Sequence, residues 1–277
     1  MVLSIPRRST AALAPLALLV AACSGEREPT QAEKAAAATV PGAPPSAIDD
    51  VKAANATASN VKESNDLLEF AYSYPREAAE IPKLADWLDK DRAAKRDALT
   101  AESRRDRAMA EKEGFPYRPH SHLQSWQRVT NTPRFLSLSS EIETYMGGAH
   151  GMQSFETLIW DRNRAALLRP LDLFTSAEAF DAAVRDAFCA GIKRAKAARG
   201  IQPPEGDTTF DKCPPASAQT VWLGSSDGRY LDRLTVAISP YEIGPYAEGS
   251  YKINVPVNSA LVRVVKPEFA RDFLPIR

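Results

Sequence analysis

The sequence predicts an α+β fold in which a largely antiparallel β-sheet packs with helices, including one long charged helix. Several short segments alternate apolar and polar residues, as half-buried strands do. Two longer segments space their apolar residues as amphipathic helices do. Strands and helices do not alternate regularly along the chain, which argues against a parallel α/β sheet.

The first elements are a strand and the long helix. Leu68, Phe70, Tyr72 and Tyr74 alternate with smaller or polar residues, which predicts a strand with one aromatic face. Pro82 suits the first helical position, and the helix is expected from about residue 83 to 113. Its apolar stripe consists of Leu84, Trp87 and Leu88. Two i,i+4 ion pairs, Asp86 with Lys90 and Asp91 with Lys95, support its exposed face. Gly114 and Pro116 end the helix.

The remaining elements follow the same reasoning. After a loop that contains His120 and His122, the predicted strands cover residues 123–130, 135–145, 155–161, 166–168, 220–223, 231–239 and 252–257. A capping box of Thr175 and Glu178 begins a second helix that ends at Gly200. A short helix is expected between residues 259 and 273.

The N-terminus predicts export. Arg7 and Arg8 precede an apolar run over residues 11–20, and small residues lead into Cys23. The run is about half of the ~20 residues that a membrane-spanning helix needs. Residues 1–22 resemble the signal peptides of bacterial lipoproteins, which implies a lipid at Cys23. Ser24 after the cysteine resembles lipoproteins sorted to the periplasmic face of the outer membrane. The alternative is an ordinary secretory signal with an incidental cysteine.

We expect three regions along the chain: the signal peptide 1–22, a disordered Ala/Pro-rich tether 23–60, and an α+β domain 61–277 that could contain two subdomains meeting near 150–175. With Cys23 lipidated in an oxidising compartment, Cys189 and Cys213 are expected to pair, although two free thiols are the alternative. Such a bridge would stabilise the fold by about 3 kcal/mol. Lys plus Arg equals Asp plus Glu, 35 each, which disfavours nucleic acid as a partner.

Two blocks carry a family resemblance. They read FLSLSSEIETYMGGAHGMQSFETLIWDRNRAALLRPLDLF and LTVAISPYEIGPYAEGSYKINVPVNSAL. Both resemble the paired extracytoplasmic domains of lysozyme-sensing anti-sigma receptors of the RsiV type and of PdaC-type peptidoglycan deacetylases. ESNDLLEFAYSYP resembles the first strand of the same unit. The resemblance implies an α+β envelope domain that senses or binds, and it does not imply catalysis, because the deacetylase chemistry lies in a separate domain. Neither that domain nor a sigma-binding segment is apparent, so we expect a ligand-binding lipoprotein.

The candidate ligand-binding residues lie in two separate loops. In TYMGGAHG, Gly147 and Gly148 can take positive φ and turn the chain, while His150 and Gly148 are candidate ligand contacts. In PYEIGPY, Tyr241 and Tyr246 offer flat apolar rings with hydroxyls, which suit protein hot spots and stacking on sugars, and Pro245 beside them is a further candidate contact. A core role for these tyrosines is equally compatible with the sequence. The ligand implied by the resemblance is a lysozyme-like muramidase or peptidoglycan glycan.

The enzymatic alternative is a cell-wall hydrolase or deacetylase with an unrecognised site. TFDKCP at residues 209–214 is similar to a TFDDGP metal segment, but Lys212 replaces the second aspartate, and HSHLQ has Gln124 where a metal motif needs histidine. His120 and His122 could supply two ligands, with Asp106 or His150 as a third, but surface histidines in a loop are the simpler interpretation. Glu242 and Glu248 could be paired carboxylates.

No GxSxG elbow occurs in the sequence. We therefore expect no catalytic residue, metal or cofactor. A further alternative is an assembly lipoprotein whose long charged helix, residues 83–113, docks to a partner.

Overall fold

The computed structural model describes residues 57–201, 210 and 212–275. Within this range the chain forms a six-stranded and a three-stranded sheet, together with helices, which confirms the predicted α+β class. The strands are β1 (Thr57–Ser64), β2 (Leu68–Pro75), β3 (His120–Asn131), β4 (Phe135–Tyr145), β5 (Met152–Asp161), β6 (Ala166–Leu168), β7 (Thr220–Gly224), β8 (Arg233–Ile238) and β9 (Tyr251–Pro256). The α-helices are α1 (Arg76–Ala79), α2 (Pro82–Glu113), α3 (Ala177–Ala198) and α4 (Ser259–Arg263). Short 3-10 turns occupy Pro170–Leu173, Ala216–Ala218, Tyr246–Glu248 and Pro267–Asp272.

The large sheet follows the order β1-β2-β3-β4-β5-β6. Only β2 and β3 are parallel within it, because α1 and α2 form the crossover between them. The aromatic face of β2 packs under α2, as the alternating pattern predicted, and Leu84 and Leu88 of the helix are fully buried there. Tyr72 fixes the helix, since its hydroxyl donates to Asp91 Oδ2 (2.7 Å) and accepts from Trp126 Nε1 (2.7 Å). Burial, with Asp91 beside it, raises the pKa of Tyr72, so the phenol remains a donor.

The small sheet follows the order β7-β8-β9 and packs against α3. The predicted stripe of that helix is buried: Phe180, Val184, Phe188 and Ile192. Gly191 lies at the crossing, where an added Cβ would be 2.4 Å from Ile253 Cγ2, so the helix approaches β9 too closely for a side chain. Cys189 of α3 and Cys213 form a disulfide with a Cα–Cα distance of 5.6 Å, as expected from the sequence.

The small sheet covers part of the second face of the large sheet. Phe155 of β5 meets Trp222 of β7 edge-on at 5.7 Å, and Lys252 of β9 pairs with Glu141 of β4. The outer halves of β1, β2 and β3 carry small and polar residues on this face and remain partly exposed. This uncovered area lies next to the candidate site.

Several elements differ from the sequence-based expectations. β1 begins at Thr57, inside the range assigned to the tether; it contains few apolar residues and is held by pairing with β2 and by ion pairs such as Glu63 with Arg96. The N-cap of α3 is Ser176, whose Oγ accepts from Ala179 N–H (3.1 Å). The capping box expected at Thr175 is wrong, because Ser176 is the N-cap and Thr175 N–H instead bonds the Val264 carbonyl (2.8 Å).

Some predictions lie outside the described residues. They are the signal peptide, the lipid at Cys23, most of the tether, and Thr209 and Asp211 of the TFDKCP segment. Among the helices that are described, none combines the length and the apolar character required to cross a membrane.

Candidate ligand-binding site

Two loops that are distant in sequence meet at one end of the large sheet. The rings of His150 and Tyr246 stack with centroids 3.8 Å apart and an interplanar angle of 16°. Tyr241 lies 5.6 Å from the Tyr246 ring, and its hydroxyl is 3.3 Å from His150 Nε2. Tyr241 is 48% exposed, and His150 is exposed as well. We call these three residues the aromatic cluster; the sequence proposed them separately, and the fold brings them together.

The turn between β4 and β5 presents His150. Gly147 (φ 88°) and Gly148 (φ 84°) adopt the left-handed conformations predicted for them. The Tyr145 hydroxyl donates to the Gly148 carbonyl (3.0 Å), which fixes the turn. His150 Nδ1 lies 2.9 Å from the Gly151 carbonyl, and because a carbonyl only accepts, Nδ1 carries the proton. In the neutral ring Nε2 therefore accepts from Tyr241.

The tyrosine loop, residues 239–250, has an unusual backbone at its exposed ring. Tyr241 has φ 72°, in the left-handed region that a residue with a Cβ adopts at a cost of about 1–2 kcal/mol. Pro245 is exposed and precedes the 3-10 turn Tyr246–Glu248, and its carbonyl accepts from Glu248 N–H (2.9 Å). A strained backbone beside an exposed aromatic ring favours a functional role for the loop.

Helix α3 holds the tyrosine loop from below. Lys196 Nζ donates to the Ile243 carbonyl and lies 3.5 Å from Glu248 Oε2. Arg199 donates to the carbonyls of Glu248 (2.5 Å) and Ser250 (2.7 Å). These contacts fix the middle and the C-terminal end of the loop that carries Tyr241 and Tyr246.

Glu248 points into the loop. Its carboxylate accepts from the Tyr251 hydroxyl (2.5 Å), and burial together with this bond raises the pKa of Tyr251 to about 12. A Cβ on Gly244 would lie 2.3 Å from Glu248 Oε2, so a larger residue there would displace the carboxylate. Glu242 is exposed and bonded to Gln219 (3.3 Å). The Glu248 carboxylate therefore supports the loop. Because it is engaged there, it is not free to act with Glu242 as the second of two paired carboxylates.

A polar surface of the large sheet adjoins the aromatic cluster. Two neighbouring depressions, of about 340 and 410 Å³, share Leu123 and Glu143. Tyr246 borders the first depression. The hydroxyl and amide side chains of the first depression include Ser121 and Gln153. Those of the second include Asn60, Ser73, Ser125 and Gln127. We call this surface the polar groove; the sequence reasoning missed it, although alternate small polar residues of β2 and β3 were a signal for it.

The other two histidines are not surface residues of a loop, contrary to the prediction. Both belong to β3, because parallel pairing of Leu68 with His120 extends the strand to that residue. His120 is 2% exposed, and its Nε2 lies 3.4 Å from Asp106 Oδ2. Asp106 was the suggested third metal ligand, and it does meet one of the two histidines.

His122 belongs to a different network. It donates to Gln124 Oε1 (3.0 Å), an oxygen that also accepts from Lys95 (3.0 Å). Burial lowers the pKa of His122, which favours the neutral ring. Within the described part of the chain, no group of three or more His, Cys, Asp or Glu side chains is arranged to hold a metal ion.

Comparison with known proteins agrees with part of the resemblance. Residues 61–153 match the family model described as deacetylase PdaC, so this part of the chain is PdaC-like. The matched region contains α2, most of the polar groove and the His150 turn, and it ends before the tyrosine loop. No curated protein matches the chain.

Two solved structures are similar in fold. A member of the DUF3298 family from Bacteroides fragilis NCTC 9343 aligns with a TM-score of 0.50 and 15% identity, over 79% of this chain and 97% of that one. A DUF3298 family protein from Pseudomonas aeruginosa PAO1 aligns with a TM-score of 0.46 and 15% identity, over 80% of this chain and 98% of that one. At this identity the likeness concerns the fold alone.

Proposed function

We propose that this chain is a binding protein of the cell envelope that holds the glycan of peptidoglycan without altering it. In this proposal a lipid at Cys23 anchors it to the periplasmic face of the outer membrane. One observation carries the binding function: the exposed aromatic cluster stands at the end of an uncovered polar groove. The PdaC-like match over residues 61–153 supports an envelope ligand.

The chemistry of the surface fits a sugar chain. A sugar ring has apolar C–H faces and a rim of hydroxyls, so it stacks on aromatic rings and bonds to hydroxyl and amide side chains. Tyr246 and Tyr241 offer the rings, while Ser125, Gln127 and Gln153 offer the polar groups. The two adjoining depressions form an elongated groove, which suits an extended oligosaccharide better than a single sugar.

A lysozyme-like muramidase is a second candidate for the same surface. Met146 (43% exposed) and Met152 (40% exposed) flank the turn that carries His150. Exposed methionine and tyrosine are enriched where proteins bind one another. This patch therefore favours a protein ligand independently of the polar groove.

The proposal contains no chemical step. Both ring nitrogens of His150 have partners, Gly151 and Tyr241, and Glu248 is held inside the loop. These residues support and present the surface. Incubation of the purified protein with peptidoglycan should consequently leave the muropeptide profile unchanged, whereas new or shortened muropeptides would favour the hydrolase or deacetylase alternative.

Sedimentation with purified sacculi, and pull-down with lysozyme, test the binding function and distinguish the two ligands. We expect the full-length chain to bind sacculi, and Tyr246→Ala to weaken binding about tenfold or more, as loss of a stacking contact worth about 1.4 kcal/mol or more would do. Tyr230→Ala is the matched control, because Tyr230 is an exposed tyrosine (36%) outside both loops. Absence of binding to both baits would contradict the proposal.

A further inference from the structure

A large cleft lies beside the outer edge of β5, apart from the aromatic cluster. Its volume is about 590 Å³. Its lining includes the apolar Phe155, Leu171, Phe174 and Val221 and the polar Thr157 and Thr220. The proposed glycan binding does not use this cleft.

Among the described residues, no strand pairs through its backbone with the part of the β5 edge that faces the cleft. β5 pairs with β4 over Met152–Asp161, but β6 pairs only with its last residues, from Ile159 to Asp161. The Thr220 hydroxyl donates to the Phe155 carbonyl (3.2 Å), so the peptide groups of Phe155 point away from β4 and toward the cleft. Because peptide groups alternate in direction along an antiparallel strand, those of Thr157 point the same way.

The chain turns away before it can cover this edge. After Leu168, Arg169 and Asp172 close a capped turn in which Arg169 N–H donates to Asp172 Oδ2 (2.8 Å). Pro170 has no N–H with which to continue the pairing. The open segment, residues 153–157, reads QSFET and lacks the proline and lysine that often protect strand edges. Within the described part of the chain, the strand position in line with β6 is thus left without backbone pairing.

We propose that this cleft binds an extended peptide segment of a partner protein as an added β-strand in line with β6. The peptide would pair with the backbone of Phe155 and Thr157 and place an apolar side chain over Phe174 and Leu171. An extended peptide fits better than a compact ligand, because the edge offers backbone donors and acceptors at every second residue. The peptide would pair at Phe155 and Thr157, which are not among the residues proposed to hold the glycan, so either function can fail alone.

Hydrogen exchange tests the edge directly. In the free full-length protein, the amides of Phe155 and Thr157 should exchange faster than those of Ser154 and Glu156, which pair with β4. Equal protection of the four amides would show that the edge is already covered and would overturn the proposal.

Peptide binding is tested with a displayed library of random linear heptapeptides selected on the full-length protein. Thr157→Pro removes the outward N–H, whereas Thr157→Val removes only the hydroxyl, which donates to the Leu138 carbonyl on the β4 side (3.2 Å). Selected peptides should bind Thr157→Pro about tenfold more weakly and Thr157→Val as well as the natural protein. They should also slow exchange at Phe155 and Thr157.

Two results would refute peptide addition at β5. One is a selection that yields no peptide with different affinities for Thr157→Pro and Thr157→Val, when circular dichroism shows that both variants are folded. The other is displacement of the peptides by soluble peptidoglycan glycan strands, which would place them at the glycan site.

Discussion

Replacing Tyr241 separates the cost of its backbone conformation from the contribution of its ring. The residue has φ 72°, which costs a side chain with a Cβ about 1–2 kcal/mol and costs glycine little. Its ring lies 5.6 Å from Tyr246 and 6.4 Å from His150, contacts worth about 0.5–1.5 kcal/mol. Tyr241→Ala loses these contacts and keeps the backbone cost. Tyr241→Gly loses the same contacts but removes the backbone cost.

The greater freedom of glycine in the unfolded chain offsets about 0.5–1 kcal/mol of that relief. The free energy of unfolding, measured by urea denaturation, should therefore be about 1 kcal/mol higher for Tyr241→Gly than for Tyr241→Ala. The two variants should have equal m values. Both variants should lose binding to sacculi, because both lack the ring. Equal stability of the two variants, or a more stable alanine variant, would refute the view that the loop maintains an unfavourable backbone to present this tyrosine.

Three further predictions concern the support of the site. Lys196→Met should lower the free energy of unfolding by about 2 kcal/mol, because it leaves the Ile243 carbonyl and the Glu248 carboxylate without the ammonium group; denaturant unfolding measures this. Removal of the Cys189–Cys213 disulfide by a double Cys→Ser change should cost about 3 kcal/mol and lower the melting temperature measured by calorimetry. Burial lowers the pKa of His122, so acidification below about pH 6.5 protonates the unfolded chain first and lowers stability; His122→Gln should have a flatter stability–pH profile there.

Each of these predictions has a control. Lys193→Met alters an exposed lysine of the same helix and should leave stability within about 0.5 kcal/mol of the natural protein. An effect as large as that of Lys196→Met would mean that helix charge, not the loop contacts, is responsible. For the disulfide, reduction of the natural protein should reproduce the double variant. A His122→Gln profile that stays parallel to the natural one between pH 5 and 7 would remove His122 from the pH dependence.

Regular periodicity made much of the fold predictable from the sequence. β2 and α3 were foreseen because each buries one well-defined apolar face, and the disulfide followed from the cysteine count and the expected compartment. β1 was missed because its pairing comes from the neighbouring strand rather than from its own apolar residues. The strand start at His120 was missed because parallel pairing with Leu68, a long-range contact, determines it.

The candidate site was predictable only as separate pieces. The sequence selected His150, Tyr241 and Tyr246 by residue type and by the glycines and prolines around them. Their stacking depends on how the small sheet packs on the large one, and no local pattern determines that arrangement. The polar groove was missed for a similar reason, since small polar residues facing outward on a strand look the same whether water or a ligand covers them.

Calorimetric titration of the full-length chain with soluble glycan strands prepared from peptidoglycan tests the central claim most directly. The aromatic cluster and polar groove predict saturable binding that weakens about tenfold or more in Tyr246→Ala and in His150→Ala and that is unchanged in Tyr230→Ala. No binding by the natural protein, or equal affinity of all three variants, would contradict the claim that this surface holds the glycan.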